Sequence, residues 1–289
     1  MNPSNVSIKL LALAALALSA AGCTGSVNLD VTDAPVDKAS KVVVQFSGAT
    51  FQPTGADAIT VNFNPPLSID LLALKDGNTS SLISNKKMRD GNYDSVTLTV
   101  NATGTGTDSY VILTSDPDTK IPLTLTNGSG LTITGGFSVD KDVTQNYVID
   151  FDLRKSVSDP LIGTTAYQLN PALRLVNKDT SGSIAGTVTG AGATGCSPAV
   201  YVYQGSDATA GDQGSSNPPY TSTLIRLNTT TTPSTYTYTV SFLPPGNYTL
   251  AATCSADEDT VGAASEIILS NTVNVTVQKG ITTAQNFAL

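Results

Sequence analysis

A handful of carboxylates and tyrosines carry what chemistry this sequence offers. Asp150 and Asp152 stand two apart in Tyr147-Val148-Ile149-Asp150-Phe151-Asp152. On a strand, residues two apart share a face. Two neighbouring carboxylates are what glycoside hydrolysis or calcium coordination needs, while the adjacent Arg154 and Lys155 suit plain charge pairing. Asp257-Glu258-Asp259 is a short acidic run after Cys254. It could take Ca²⁺, with Asp257 and Asp259 as ligands, but lacks the spaced oxygens and central Gly of an EF-hand loop. Asp33 and Asp37 flank Ala34-Pro35, where a cation or polar-ligand site competes with ordinary turn chemistry. Tyr201, Tyr203, Tyr236 and Tyr238 form the best aromatic cluster. Exposed, they could stack on sugars or contact protein partners; as alternate residues on neighbouring strands, they also suit a core.

The composition removes other chemistries. The 289 residues include no His and no Trp, 3 Cys, and a formal net charge of −8. Without His there is no Ser-His-Asp triad, no Cys-His pair and no imidazole metal site. An acidic chain whose one basic cluster is Lys86, Lys87 and Arg89 is a poor nucleic-acid ligand. Phosphate-loop and dinucleotide fingerprints are absent too. No catalytic residue and no cofactor is assigned, calcium being the one ion these carboxylates could take.

The elements that must position these residues are strands. Period-two alternation runs through Val27/Leu29/Val31, Val42/Val44/Phe46, Val96/Leu98/Val100 and Tyr147/Ile149/Phe151/Leu153. It returns in Ile184/Gly186/Val188, Tyr236/Tyr238/Val240/Phe242, Tyr248/Leu250/Ala252 and Val273/Val275/Val277. Thr fills many outward positions, where its β-branch suits a pleated surface. Turn clusters such as Asp76-Gly77-Asn78, Asp90-Gly91-Asn92, Asn127-Gly128 and Pro244-Pro245-Gly246-Asn247 punctuate the runs. Short strands with turns between them predict an all-β chain of two tandem antiparallel β-sandwich domains. The polar stretch Asn177 to Gly182 places the boundary, giving domains at 26–177 and 181–289. Only Ser68 to Lys75 and Ser80 to Lys87 could hold a helical turn. The Gly, Ser and Pro-rich stretch Asp207 to Tyr220 reads as a long mobile loop.

The amino terminus is an address. Lys9, the apolar run Leu10 to Ala21 and the sequence Ala20-Ala21-Gly22-Cys23 resemble a bacterial lipoprotein signal. The run is too short to span a bilayer stably. On that resemblance residues 1–22 are removed and Cys23 carries the covalent lipid, which anchors through its buried methylenes. Thr24 in place of Asp then implies the outer membrane, facing the periplasm or the cell surface. Cys196 and Cys254 remain as one pair, which an oxidising compartment would join.

Two family resemblances follow. Val31-Thr32-Asp33-Ala34-Pro35-Val36-Asp37, Ile69-Asp70-Leu71-Leu72, Arg89-Asp90-Gly91-Asn92-Tyr93, Asp150-Phe151-Asp152-Leu153-Arg154-Lys155-Ser156 and Tyr167-Gln168-Leu169-Asn170-Pro171 resemble, in order, the domain of unknown function 4382. That resemblance implies a bacterial lipoprotein and no established activity. Gly182-Ser183-Ile184-Ala185-Gly186-Thr187-Val188, Ala199-Val200-Tyr201-Val202-Tyr203 and Phe242-Leu243-Pro244-Pro245-Gly246-Asn247-Tyr248-Thr249-Leu250 resemble the carboxypeptidase-regulatory-like family, a transthyretin-like sandwich usually used as an accessory module. Together they imply a lipid-anchored envelope protein with a binding or scaffolding role toward a glycan or an envelope protein, and no enzyme. The rivals are an Asp-based glycan hydrolase and a structural spacer or subunit of an envelope complex.

Overall fold

The computed structural model describes residues 24–34, 38–126, 128, 130–160, 163, 165–259, 261 and 267–289. The signal at 1–22, the lipidation residue Cys23, Asp37 and the Asn127 turn residue lie outside them.

The chain is all-β, and its sheets fall into two sets on either side of the Asn177–Gly182 turn. In the smaller sheet of the first set, Thr24–Ala34 runs between Ser80–Arg89 and Thr144–Asp152, with Leu173–Asn177 beyond. In the larger sheet Ala39–Pro53 is the spine. It pairs with Ile59–Asp70 along one edge, and along the other with Tyr110–Leu113 and then Gly91–Val100. Leu131–Val139 extends the sheet past Gly91–Val100, and Asp116–Leu125, Tyr167–Leu169 and Val157–Ser158 extend it past Tyr110–Leu113. Inward residues of the two sheets make one core. Val27, Leu29 and Val31 meet Val42, Val44 and Phe46, and the Phe46 and Phe151 rings pack edge-on at 6.0 Å. Phe137 stacks on Tyr93 at 4.8 Å and meets the Tyr147 ring at 5.2 Å.

The second set is a smaller sandwich. Gly182–Thr189 pairs with Thr235–Leu243, which carries Arg226–Asn228. Facing it, the order is Thr221–Leu224, Ala199–Gln204, Gly246–Thr253, Val273–Val277. Ile184, Val200, Val240 and Leu250 fill the space between.

Pairing is mostly antiparallel, but each set closes with parallel pairs. Thr144–Asp152 lies parallel to Thr24–Ala34, and Tyr167–Leu169 parallel to Asp116–Leu125. Thr282–Ala284 and Phe287–Ala288 lie parallel to Gly182–Thr189. Parallel neighbours need a long crossover, so these pairs return late segments beside an earlier strand. Gly186 permits this closure, because a Cβ there would collide with the Gln285 carbonyl oxygen.

Helix is scarce. Leu71–Leu74 forms one 3-10 turn inside the expected Ser68 to Lys75 stretch. Ser80 to Lys87 is strand, not helical turn: it belongs to Ser80–Arg89, which pairs with Thr24–Ala34 and buries Leu82, Ile83 and Met88. An unexpected turn of α-helix, Leu153–Ser156, follows Asp152, whose side chain accepts from the Lys155 N–H and caps it. Among the described residues no helix is long and apolar enough to cross a membrane.

Candidate functional site

Asp150 and Asp152 do share a face, and that face meets the second sandwich. Tyr147, Ile149 and Phe151 point into the first core and leave the carboxylates on the other side of the strand. Both are buried. Asp150 pairs with Arg174 from the neighbouring strand. Asp152 meets the Lys155 ammonium at 3.4 Å besides capping its backbone.

The bases around them reach across the boundary. Lys155 Nζ donates to the Pro219 carbonyl at 2.6 Å. The Arg174 guanidinium lies 4.6 Å from the centre of the Tyr220 ring. Arg154 Nη1 donates to the Ala256 carbonyl at 2.5 Å and to the Tyr201 hydroxyl at 3.4 Å. Lys178 pairs with Asp30 at 2.6 Å and lies 5.8 Å from the centre of the Phe242 ring. Lys155 and Arg174 thus each pair with an acid of the first sandwich while touching the second. Burial pushes the Asp150 carboxyl above its ordinary range; Arg174 opposes the shift and Asp152 adds to it. Burial works against the Arg174 charge, yet Asp150 and Tyr220 hold its proton more firmly than usual.

Beside this pair lies a cavity of about 20 Å³, lined by Asp33, Asp150, Arg174, Ser222 and Ser241 among others. That is space for about one water. A sugar ring is larger than that space, and the Asp150–Arg174 and Asp152–Lys155 pairs hold the joint.

Asp257 and Asp259 do not converge. Asp257 is exposed, while Asp259 is buried and accepts from the Tyr201 hydroxyl at 2.5 Å and the Gln213 N–H at 3.0 Å. Among the described residues no group of three His, Cys, Asp or Glu side chains could hold a metal ion.

Of the two readings open to the tyrosines, core holds for three of the four. Tyr201, Tyr203 and Tyr238 are buried. Tyr203 donates to the Gly211 carbonyl and Tyr238 to the Gln285 carbonyl, both at 2.7 Å. Only Tyr236 is half-buried, beside Gly190 and Gly192 in an open groove. The physical reason lies in the Ala199–Gln204 strand, where Ala199 to Tyr203 are buried on both faces. Val200 and Val202 face the sandwich core; Tyr201 and Tyr203 face a second small core with Ala208, Ala210 and Ala256. The 207–219 segment covers that core. Asp212 and Gln213 are buried and pinned there, so the segment is a packed cover, not a loose loop.

Cys196 and Cys254 form a disulfide. The Ser197 N–H donates to the Cys254 carbonyl and the Ala256 N–H to the Ser197 carbonyl, which fixes the turn that receives Arg154.

A cleft of about 180 Å³ opens between the sandwiches, with Val111, Leu113, Val157 and Tyr167 from the first and Ala256 and Asp257 from the second. Sequence reasoning did not single out this cleft, because its walls come from four separated segments.

Comparison with curated proteins finds no match. Among solved structures, the Bacillus anthracis TIE protein is 10% identical, with 92% of this chain and 34% of that one covered and a TM-score of 0.22. The present chain thus spans about a third of that protein. A minor pilin of Streptococcus agalactiae is 8% identical, with 91% and 95% covered and a TM-score of 0.22. A putative adhesin of Bacteroides ovatus is 11% identical, with 93% and 92% covered and a TM-score of 0.22. Likenesses this distant carry no argument about what the chain does. The family match is of another kind: it runs over residues 24–171, from the first strand through the Asp150–Ser156 block that builds the joint, and the chain belongs to the family described as domain of unknown function (DUF4382).

Proposed function

We propose that this is a non-catalytic binding protein of the bacterial envelope, anchored in the outer membrane by lipid on Cys23, whose ligand enters the cleft between the sandwiches. The second sandwich is read as a carboxypeptidase-regulatory-like module that supplies one wall. The observation carrying the reading is the contrast between two cavities. The one beside Asp150 and Asp152 has space for about a water, while the 180 Å³ cleft is walled by apolar side chains and rimmed by Lys38, Asp159 and Asp257. Apolar walls with a few polar groups are the usual make-up of a binding site, and Tyr167 offers a ring to a sugar. A short glycan is the ligand class this lining favours.

The test titrates a panel of envelope oligosaccharides against the full-length chain in detergent, native and Leu113→Trp. An indole at position 113 fills the cleft while leaving the Asp150–Arg174 and Asp152–Lys155 pairs in place. The expected result is binding by the native chain and a loss of at least about tenfold in the variant, about 1.4 kcal/mol, with an unchanged melting temperature. Failure of every glycan to bind, or equal binding by the variant, refutes the site. Sedimentation of the chain with outer membranes, lost in Cys23→Ser, tests the anchor separately.

A further inference from the structure

One carboxylate at the joint has no partner. Asp33 stands near the end of Thr24–Ala34, is 7% exposed, and neither of its carboxylate oxygens meets a hydrogen-bond donor. It lines the 20 Å³ cavity between the sandwiches. Asp150 and Asp152 on the neighbouring Thr144–Asp152 strand, and Asp70 at the end of Ile59–Asp70, are the carboxylates whose charge acts on it. Arg226 faces it from the second sandwich, and Asp76 lines the far side of the cavity. Two other bases at the joint are engaged, Arg174 with Asp150 and Lys155 with Asp152.

A buried, unpaired carboxylate among other carboxylates must be neutralised or must disrupt its surroundings. With no three-carboxylate cage among the described residues, a proton is the ligand that fits. We propose that Asp33 makes the contact between the two sandwiches pH-responsive, closed while its carboxyl is protonated and loosened when it ionises. Burial is the largest influence raising its pKa well above the ordinary value; Asp150 and Asp152 add to it, and Arg226 does not offset them. The sign follows from linkage. A folded-state pKa above the unfolded one gives stabilisation that is complete below the ordinary carboxylate range and is lost as pH rises through the raised value. Asp150 is shifted in the same direction and adds to the effect.

The test is thermal unfolding of the full-length chain in detergent, followed by circular dichroism from about pH 4 to about pH 8. Native and Asp33→Asn proteins are compared, since asparagine keeps the shape and carries no charge. The melting temperature of the variant is expected to exceed that of the native chain by about 3 °C or more at the neutral end, with the gap shrinking toward the acid end. A gap that does not change with pH, or a native chain that is the more stable at neutral pH, overturns the proposal. If the variant fails to fold, hydrogen exchange in the native chain decides. Protection of Thr221–Leu224 at the joint should fall with rising pH relative to Gly246–Thr253, and an unchanged ratio overturns the proposal.

Discussion

Replacing Arg174 by Gln probes the joint where it is most tightly built. The side chain is 14% exposed and its partner Asp150 is 6% exposed, so water screens the pair poorly. Removing one member of a buried pair typically costs about 3–5 kcal/mol, because the other charge is left uncompensated. Loss of the guanidinium from the Tyr220 ring adds about 1 kcal/mol. Part of the loss should return in Asp150→Asn/Arg174→Gln, where no charge remains, giving a coupling of about 2 kcal/mol. The assay is urea unfolding of native, single and double variants, read by circular dichroism. A single-variant loss below about 1 kcal/mol, the size of an exposed pair, or a double variant no more stable than the single one would refute the reasoning.

Other perturbations act on separate features. Cys254→Ser removes a crosslink spanning 58 residues and should cost about 4 kcal/mol in the chain-entropy picture, measured by unfolding under non-reducing conditions. Gly186→Ala places a methyl against the Gln285 backbone and should cost about 1–3 kcal/mol, with faster hydrogen exchange in Thr282–Ala284 and Phe287–Ala288. Phe46→Ala empties the centre of the first core and should cost about 3–5 kcal/mol in the same unfolding assay.

The strands were legible because one face of each is apolar. Val27, Leu29 and Val31 alternate with Asn28 and Asp30 and lie buried. The shared face of Asp150 and Asp152 was legible for the same geometric reason, as was the pairing of Lys155 with its neighbouring acid. What covers that face was not, since Arg174, Pro219, Tyr220 and Ala256 are distant in sequence. Alternation alone left the tyrosines open between surface and core, because it is a signal for a strand with one wet face. The near-continuous apolar run Ala199 to Tyr203 is the mark of a strand covered on both. The 207–219 segment has the composition of a linker, yet two small alanines and the Asp212–Gln213 turn let it lie flat on Tyr203. Helix at Ser80 to Lys87 lost to strand because Leu82 and Met88 find the core only in extended pairing with the first strand.

The central claim is that the carboxylates hold the joint while the cleft binds without turnover. Incubating the full-length native chain with the oligosaccharide panel, and following bound ligand and released product together by mass spectrometry, tests it most directly. The expected result is a retained, intact oligosaccharide. Product accumulating with native protein and absent with Asp150→Asn would contradict the claim and make the carboxylate pair an active site.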